Sequence, residues 1–337
     1  RATRAGIGHG APDGNPGRGA TGGGTALSGQ LVGHRATLKN GMDGSKAKAL
    51  AIVGTAYVVA GVVAWITAWS AGGYHPVTTA FLADVAATIA IFCFSYTYGN
   101  SSFYDAYWSV APLPIAIYWF LAADRVGAAG AADSTRAVLV FAAIAVWGGR
   151  LTYNWMRGWT GLDHEDWRYV KLREQTGSKY WLVSFAGLHM LPTLWVFGGL
   201  LPVWPAVAVG ARPLNWLDGL ATLIAAGAVW LEARADKELL EFRRSNRKPG
   251  EILASGVWSW SRHPNYFGEM GFWWSLFFFG LAADPDYAWT GIGALAITAM
   301  FRFFSLPMME ERSLERRPGY AEHQRRTSLV VPWPRFR

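Results

Sequence analysis

The chain has almost no cysteine and little charge, and the catalytic signatures that spacing alone can reveal are missing. One cysteine, Cys93, stands among 337 residues. It cannot close an internal disulfide or supply a thiol set for zinc, and its apolar neighbours make it a small packing residue. Charged residues are 16% of the chain, against roughly a quarter in an ordinary soluble domain. No histidine pair has helical ligand spacing, so no metal is expected. Neither a GxxxxGKS/T phosphate loop nor a GxSxG nucleophile elbow occurs. Gly17 to Gly22 formally reads GxGxxG, but no strand precedes it and no helix follows it, which excludes a dinucleotide turn. The net charge of +8 is confined to particular loops instead of one basic and aromatic surface, so nucleic acid is not the expected partner.

What is present is apolar and aromatic: 52% hydrophobic residues, 15% aromatic, 19 tryptophans. Eight runs, at 47–69, 77–97, 105–122, 135–156, 180–203, 213–235, 265–282 and 286–306, approach the ~20 residues that cross a bilayer. They predict an all-α polytopic membrane bundle of seven or eight transmembrane helices with no Rossmann domain, the third and seventh runs being the weakest. Residues 1–45 hold 13 glycines and no apolar period, so a disordered tail is expected before one membrane domain at 46–337. Residue 1 is not Met, and Met42 directly precedes the folded-looking chain, which suggests a cloning remnant or an upstream extension. Gly291 to Ala296 also reads GxGxxG, but inside an apolar run, where small residues let helices approach closely.

Charge sets the expected orientation. Arg168, Lys171 and Arg173, then Lys237 to Lys248, then Arg312 to Arg326 fall at one set of helix ends, whereas the opposite connections offer Arg125 and Arg212. The positive-inside rule places the basic set in the cytoplasm.

Chemistry is concentrated between 232 and 310. If the sixth run continues as a helix, Glu232, Asp236 and Arg243 share a face, able to accept ribose or amide hydrogens and hold phosphate. A solvated helix end laced with i,i+4 ion pairs is the competing reading. Arg247, Lys248, Pro249 and Gly250 end that helix and offer cations for a polyphosphate or for anionic lipid headgroups. In Ser261-Arg262-His263-Pro264-Asn265-Tyr266-Phe267-Gly268-Glu269, Pro264 suits a first helical position. Arg262, Asn265 and Glu269 then share a face at a helix N-terminus. Glu269, a carboxylate in the first turns of a membrane helix, needs a partner or ligand; a salt bridge to Arg262 or Arg302 is the structural alternative. Arg302 either snorkels or meets a phosphate or carboxylate, and Glu310 follows it. In the N-terminal half, Asp84 lies inside the second run and Tyr104 and Asp105 open the third. Tyr104, or Asp105 if burial keeps it protonated, can donate to a substrate; an interfacial aromatic belt with a solvated Asp105 fits equally.

The RKPGE at Arg247 to Glu251, followed by NYFGE at Asn265 to Glu269 and a Trp-rich apolar helix, resembles the C-terminal half of the steroid 5-alpha-reductase family. The form SRHPNYFGE is similar to a related bacterial membrane branch labelled a domain of unknown function. The resemblance spans approximately 213–330 and is weaker over 47–180. It implies an NADPH-dependent oxidoreductase of lipid or steroid metabolism, reducing a C=C bond conjugated to a carbonyl in a lipophilic substrate, with NADPH entering from the cytoplasm. By position it gives cofactor-binding roles to Asp236, Arg247, Asn265, Tyr266, Glu269 and Arg302, with Glu232 where an asparagine is common. Two departures bear on substrate: Leu306 replaces the histidine that follows the last arginine, and the early glutamate-tyrosine pair has no clear match. RHPNY with Glu310, Glu311 and Tyr320 is also similar to isoprenylcysteine carboxyl methyltransferases, which implies S-adenosylmethionine as the alternative cofactor.

Overall fold

The computed structural model describes residues 26–128, 130–245, 248 and 250–333, with side chains from 45 onward. Contacts divide the chain into a unit at Arg1–Ala47 and a unit at Lys48–Arg337, and the bundle described below belongs to the second. The backbone of α1 runs over Ala26–Ser70, so the irregular tail anticipated up to residue 45 is already helical from Ala26. Ala26, Leu27, Gln30, Leu31, Arg35, Ala36, Leu38 and Lys39 are helix formers, a local propensity that the glycine count conceals. Residues 1–25 lie outside the described residues.

The remaining helices are α2 (Pro76–Thr97), α3 (Tyr107–Val110), α4 (Pro112–Leu121), α5 (Ser134–Gly158), α6 (Trp167–Thr176), α7 (Tyr180–Val183), α8 (Leu191–Leu200), α9 (Trp216–Arg244), α10 (Pro264–Ala283), α11 (Gly291–Met300), α12 (Leu306–Arg316) and α13 (Tyr320–Arg326). The described residues are helical with turns between, as a polytopic bundle requires. Six helical stretches among them are long and apolar enough to cross a membrane: Ser45–Ser70, Pro76–Thr97, Ser134–Gly158, Trp167–Val209, Trp216–Arg244 and Pro285–Arg316. The two weakest runs depart from that standard for visible reasons. Pro112 and Pro114 remove two helical donors, so the third pass is a single turn followed by a ten-residue helix. The seventh is the 20-residue α10, whose first turns carry Asn265 and Glu269.

The passes run between a basic end and an opposite end. At the opposite end Arg136, fully buried on α5, forms a two-pronged ion pair with Asp218 of α9, with Nε to Oδ1 at 2.7 Å and an Nη to Oδ2 at 2.8 Å. It also donates to the carbonyls of Arg212 and Pro213. Asn215 caps α9 there and donates to the Ala282 carbonyl at 3.1 Å, so one polar knot ties α5, α9 and α10.

Small residues set the helix spacing. A Cβ on Gly293 would overlap the Gly198 carbonyl, and one on Gly199 would sit 2.6 Å from Ile297 Cδ1, so α8 and α11 pack backbone to backbone. This is the packing role expected of the Gly291 to Ala296 stretch. Towards the basic end both helices loosen into π-helical turns, Ser184–Met190 before α8 and Phe301–Ser305 after α11. Between α9 and α10, Gly268 plays the same part: a Cβ there would lie 2.5 Å from Glu232 Cγ and 2.9 Å from the Ala228 carbonyl.

Candidate functional site

A cavity of about 810 Å³ opens at the basic end. Its inner wall is apolar, with Leu188, Leu191, Trp195, Val196, Ile297 and Phe301 among its residues. Its mouth carries Asp166, Arg168, Lys171, Gln175 and Glu311. The two π-helical turns contribute Gly187, Leu188, Phe301, Phe304 and Ser305, so the cavity lies where α8 and α11 stop clasping each other. π turns inside helices frequently accompany functional sites.

The sequence places α10 at this cavity in a simple way. Pro264 starts the helix and His263 stands before it. One turn later Tyr266 and Glu269 both reach the cavity wall. Glu269 is buried, and each of its oxygens accepts an indole N–H: Trp273 at 2.9 Å on Oε1 and Trp147 at 3.1 Å on Oε2. Glu232 of α9 lies against Gly268, the residue before Glu269, with its Oε1 buried and without a hydrogen-bond partner. Arg150 of α5 holds Glu232 through one Nη and Asp236 through the other, the latter at 2.6 Å. Asn154 donates to the same Asp236 oxygen at 2.7 Å. Trp147, Arg150 and Asn154 are spaced i, i+3, i+7 on α5 and so address α9 and α10 from one face. α9 does continue through Arg244, as the shared face of Glu232 and Asp236 requires.

On the other side of the cavity stand Tyr104, Asp105 and Tyr169. Tyr169 of α6 donates to Asp105 Oδ1 at 2.6 Å. Tyr104 Oη and Thr193 Oγ1 are 2.7 Å apart, and Thr193 donates to the His189 carbonyl at 2.9 Å. A threonine hydroxyl has one proton, so Tyr104 is the donor to Thr193. Asp166 caps α6 and receives the Arg168 guanidinium at 2.8 Å. Burial works against its charge, but the hydrogen bonds and charge of Arg168 outweigh that, and its carboxyl titrates below the usual range. Arg312 of α12 lies 3.5 Å over the Trp167 ring, joining α6 to the last long helix.

Of the residues singled out from sequence, Tyr104, Asp105, Tyr266 and Glu269 meet at this cavity, with Glu232 and Asp236 immediately behind Glu269. Asn265 stands one turn before Glu269, its Oδ1 buried without a hydrogen-bond partner. Asp84 is not among the lining residues; it accepts Tyr107 Oη at 3.0 Å in the interior. Arg262, His263 and Glu310 close on one another instead of on the cavity. Glu310 accepts His263 Nε2 and Tyr320 Oη at 2.7 Å on one oxygen, and Arg262 at 2.7 Å and Gln324 at 2.9 Å on the other. This cluster pins the start of α10 to α12 and α13. In it the Tyr320 hydroxyl is pushed up to about 12, first by burial and then by its bond to Glu310. The alternative salt bridge of Glu269 to Arg262 or Arg302 does not form: Arg262 serves Glu310, and the exposed Arg302 lies 5.6 Å over Phe303. Arg243 and Lys248 are exposed at the end of α9, and Arg247 lies outside the described residues.

The sequence reading passes over Arg150, Trp147 and Thr193, and takes Arg168 and Tyr169 only as part of a polar loop, Asp163 to Tyr169, that covers a cofactor or lies on the membrane surface. Arg150 has a signal: with Arg136 it is an arginine inside the fourth apolar run, and an ionisable residue at membrane depth marks either a site or a buried partner. Thr193 has none, because its role arises from a neighbour 89 residues away.

Known proteins offer two points of comparison. An uncharacterized protein of Schizosaccharomyces pombe, C594.04c, is 25% identical over 256 residues, covering 69% of this chain and 73% of its own. No solved structure matches. The family described as "Protein of unknown function (DUF1295)" matches residues 91–327, a stretch that contains every cavity-lining residue and the α5, α9 and α10 network behind them, and the chain belongs to that family.

Proposed function

We propose that this protein is an NADPH-dependent membrane oxidoreductase that reduces a C=C bond conjugated to a carbonyl in a steroid-like or other lipophilic substrate. The supporting observation is the cavity itself, which joins a polar mouth at the basic end, an apolar interior and two sets of hydrogen-bonding groups in one compartment. Leu191 and Phe304 line it and are also 39% and 66% exposed, which suits a lipophilic substrate arriving from the bilayer.

The residues present fit the cofactor. Asn265 Oδ1 is a buried acceptor without a partner, suited to an amide or hydroxyl hydrogen of a nicotinamide riboside. Arg243 and Lys248 supply cations for its phosphates at the cytoplasmic end of α9. When bound, the nicotinamide supplies the hydrogen and electron pair that the β-carbon of an enone takes up.

The chain's own part is to receive the carbonyl and exclude water. Tyr104 is placed to donate to the carbonyl oxygen at little cost, because Thr193 retains a second donor in Thr88, 2.8 Å away, once Tyr104 turns to the substrate. That bond stabilises the negative charge that grows on the oxygen as the β-carbon is reduced. The Tyr169–Asp105 bond holds α6 over the opening, and Trp195, Ile297 and Phe301 keep the interior dry.

Thermal unfolding of the detergent-solubilised protein with NADPH, NADH or S-adenosylmethionine tests the reading. Stabilisation by NADPH is expected, with Glu269→Ala abolishing it. Stabilisation by S-adenosylmethionine alone would instead support a methyltransferase of the isoprenylcysteine carboxyl type.

A further inference from the structure

Three carboxyl groups, Glu232, Asp236 and Glu269, surround the single guanidinium of Arg150 at the edge of the membrane interior. Arg243 adds a more distant positive charge towards Asp236. α8 and α11, which also pack on α10, bring no ionisable side chain, and Trp147 and Trp273 bring only indole donors. Three ionised carboxyls would leave this region with uncompensated negative charge where charge is costly.

The hydrogen bonds show how the imbalance is relieved. Glu269 receives a donor on each oxygen and is therefore the accepting carboxylate. Glu232 is 2% exposed; its Oε2 is held by Arg150, and its Oε1 is buried with no donor pointing at it. A bare carboxylate oxygen facing a second carboxylate is repelled, whereas an oxygen that carries a proton has a partner there. We infer that Glu232 carries a proton on Oε1 in the resting protein and donates it to Glu269, and that this buried pair is the store from which the cavity reaction draws its proton.

The second half of this inference rests on the reductase reading. Reduction of the conjugated bond breaks its π bond and forms two C–H bonds. The β-carbon takes hydrogen with its electron pair from the nicotinamide, and the α-carbon takes a proton. Glu269, which lines the cavity, takes up the proton from Glu232 and hands that same proton to the α-carbon, returning to its carboxylate form. Glu232 is left ionised against Arg150. Asp236, which shares Arg150 and has 32% of its side chain exposed, connects the network to cytoplasmic water, from which Glu232 is reprotonated.

Infrared difference spectroscopy of the full chain, in a detergent without ester carbonyls, reads the stored proton directly. At neutral pH the wild type is expected to show a carboxylic acid C=O band that shifts in D2O, and E232Q is expected to lose it. Glutamine matches the protonated acid in shape and in having one donor side and one acceptor side, so E232Q should keep the wild-type melting temperature. Absence of the band in the wild type, or its persistence unchanged in E232Q, would overturn the assignment. So would a large loss of stability in E232Q, because it would show an ionised Glu232 paired with Arg150. The band without any thermal shift by NADPH retains the stored proton and removes its catalytic use; an NADPH shift without the band does the reverse.

Discussion

Gly268 is the position at which packing and chemistry are most directly coupled, and replacing it with alanine measures that coupling. A Cβ there would sit 2.5 Å from Glu232 Cγ and 2.9 Å from the Ala228 carbonyl, where ordinary contact begins at 3.4 Å. The backbone carbonyl cannot step aside, so α9 and α10 must part by about 0.5 Å in an interior packed as densely as a crystal. Overpacking of this kind costs about 1–3 kcal/mol, a fall in melting midpoint of roughly 2–10 °C for a chain of this size. Gly271, one turn further along the same interface, is the control. A Cβ there meets Ala228 Cβ at an ordinary 3.5 Å, and alanine is worth up to ~1 kcal/mol over glycine in a helix, so Gly271→Ala should match or exceed the wild type. Parting the helices also separates Glu232 from Glu269, so the thermal shift produced by NADPH should shrink in Gly268→Ala alone. Unfolding followed by tryptophan fluorescence at one scan rate makes the comparison. Equal midpoints and equal shifts for the two variants would refute the close-approach argument.

Asp218→Asn leaves the buried Arg136 guanidinium without its counter-charge and should destabilise the protein by about 3–5 kcal/mol, yet leave the NADPH shift in place, because the pair sits at the opposite end from the cavity; loss of the shift would contradict that separation. Arg150→Met should both destabilise the protein and abolish the NADPH shift, since Glu232 and Asp236 lose the guanidinium they share, and a variant that still responds to NADPH would free Arg150 of any part in the site. Tyr104→Phe removes the donor to the carbonyl oxygen and should lower turnover by roughly 10²–10³ with little change in cofactor binding, as single-turnover kinetics would show. Tyr320, whose folded value is pushed from 10.0 to about 12, contributes stability that is complete below pH 10.0 and is lost as the pH rises through about 12; Tyr320→Phe should flatten that alkaline fall in an unfolding series, and an unchanged slope would remove Tyr320 as its source.

The parts of this structure that can be read from sequence are those set by local pattern. The apolar runs give the bundle, Pro264 gives the start of α10, and Gly250 adopts the positive φ, +80°, that a turn after the RKP segment requires. The continuation of α9 to Arg244 gives Glu232 and Asp236 a common face. Long-range partners are not legible in the same way. Arg262, His263 and Glu310 read as ligands for a cofactor because each is polar beside a membrane helix, but a helix start at this depth must itself be secured, and the three secure it together with Tyr320 and Gln324. Arg150 escapes notice for the opposite reason: standing in an apolar run, it counts with the span that carries it, although its charge is what allows two acids to lie on the facing helix.

The NYFGE segment shows how these two kinds of information separate. Gly268 is demanded by the approach of α9, whatever the protein does, and Glu269 is held by two indoles, which is enough to bury it without any ligand. Packing therefore accounts for the glycine and for the survival of the glutamate. It does not account for Asn265 Oδ1 and Glu232 Oε1, buried acceptors on either side of that glycine whose bonding the surrounding helices leave incomplete. A fold that satisfies Asp218, Glu310 and Glu269 so fully has no structural need for two such atoms in one seam. A proton on Glu232 answers one of them in the resting protein, and a ligand with amide and hydroxyl hydrogens answers the other. The case for a cofactor at this seam is thus strongest where the helices stop explaining themselves, at Asn265, one turn before Gly268.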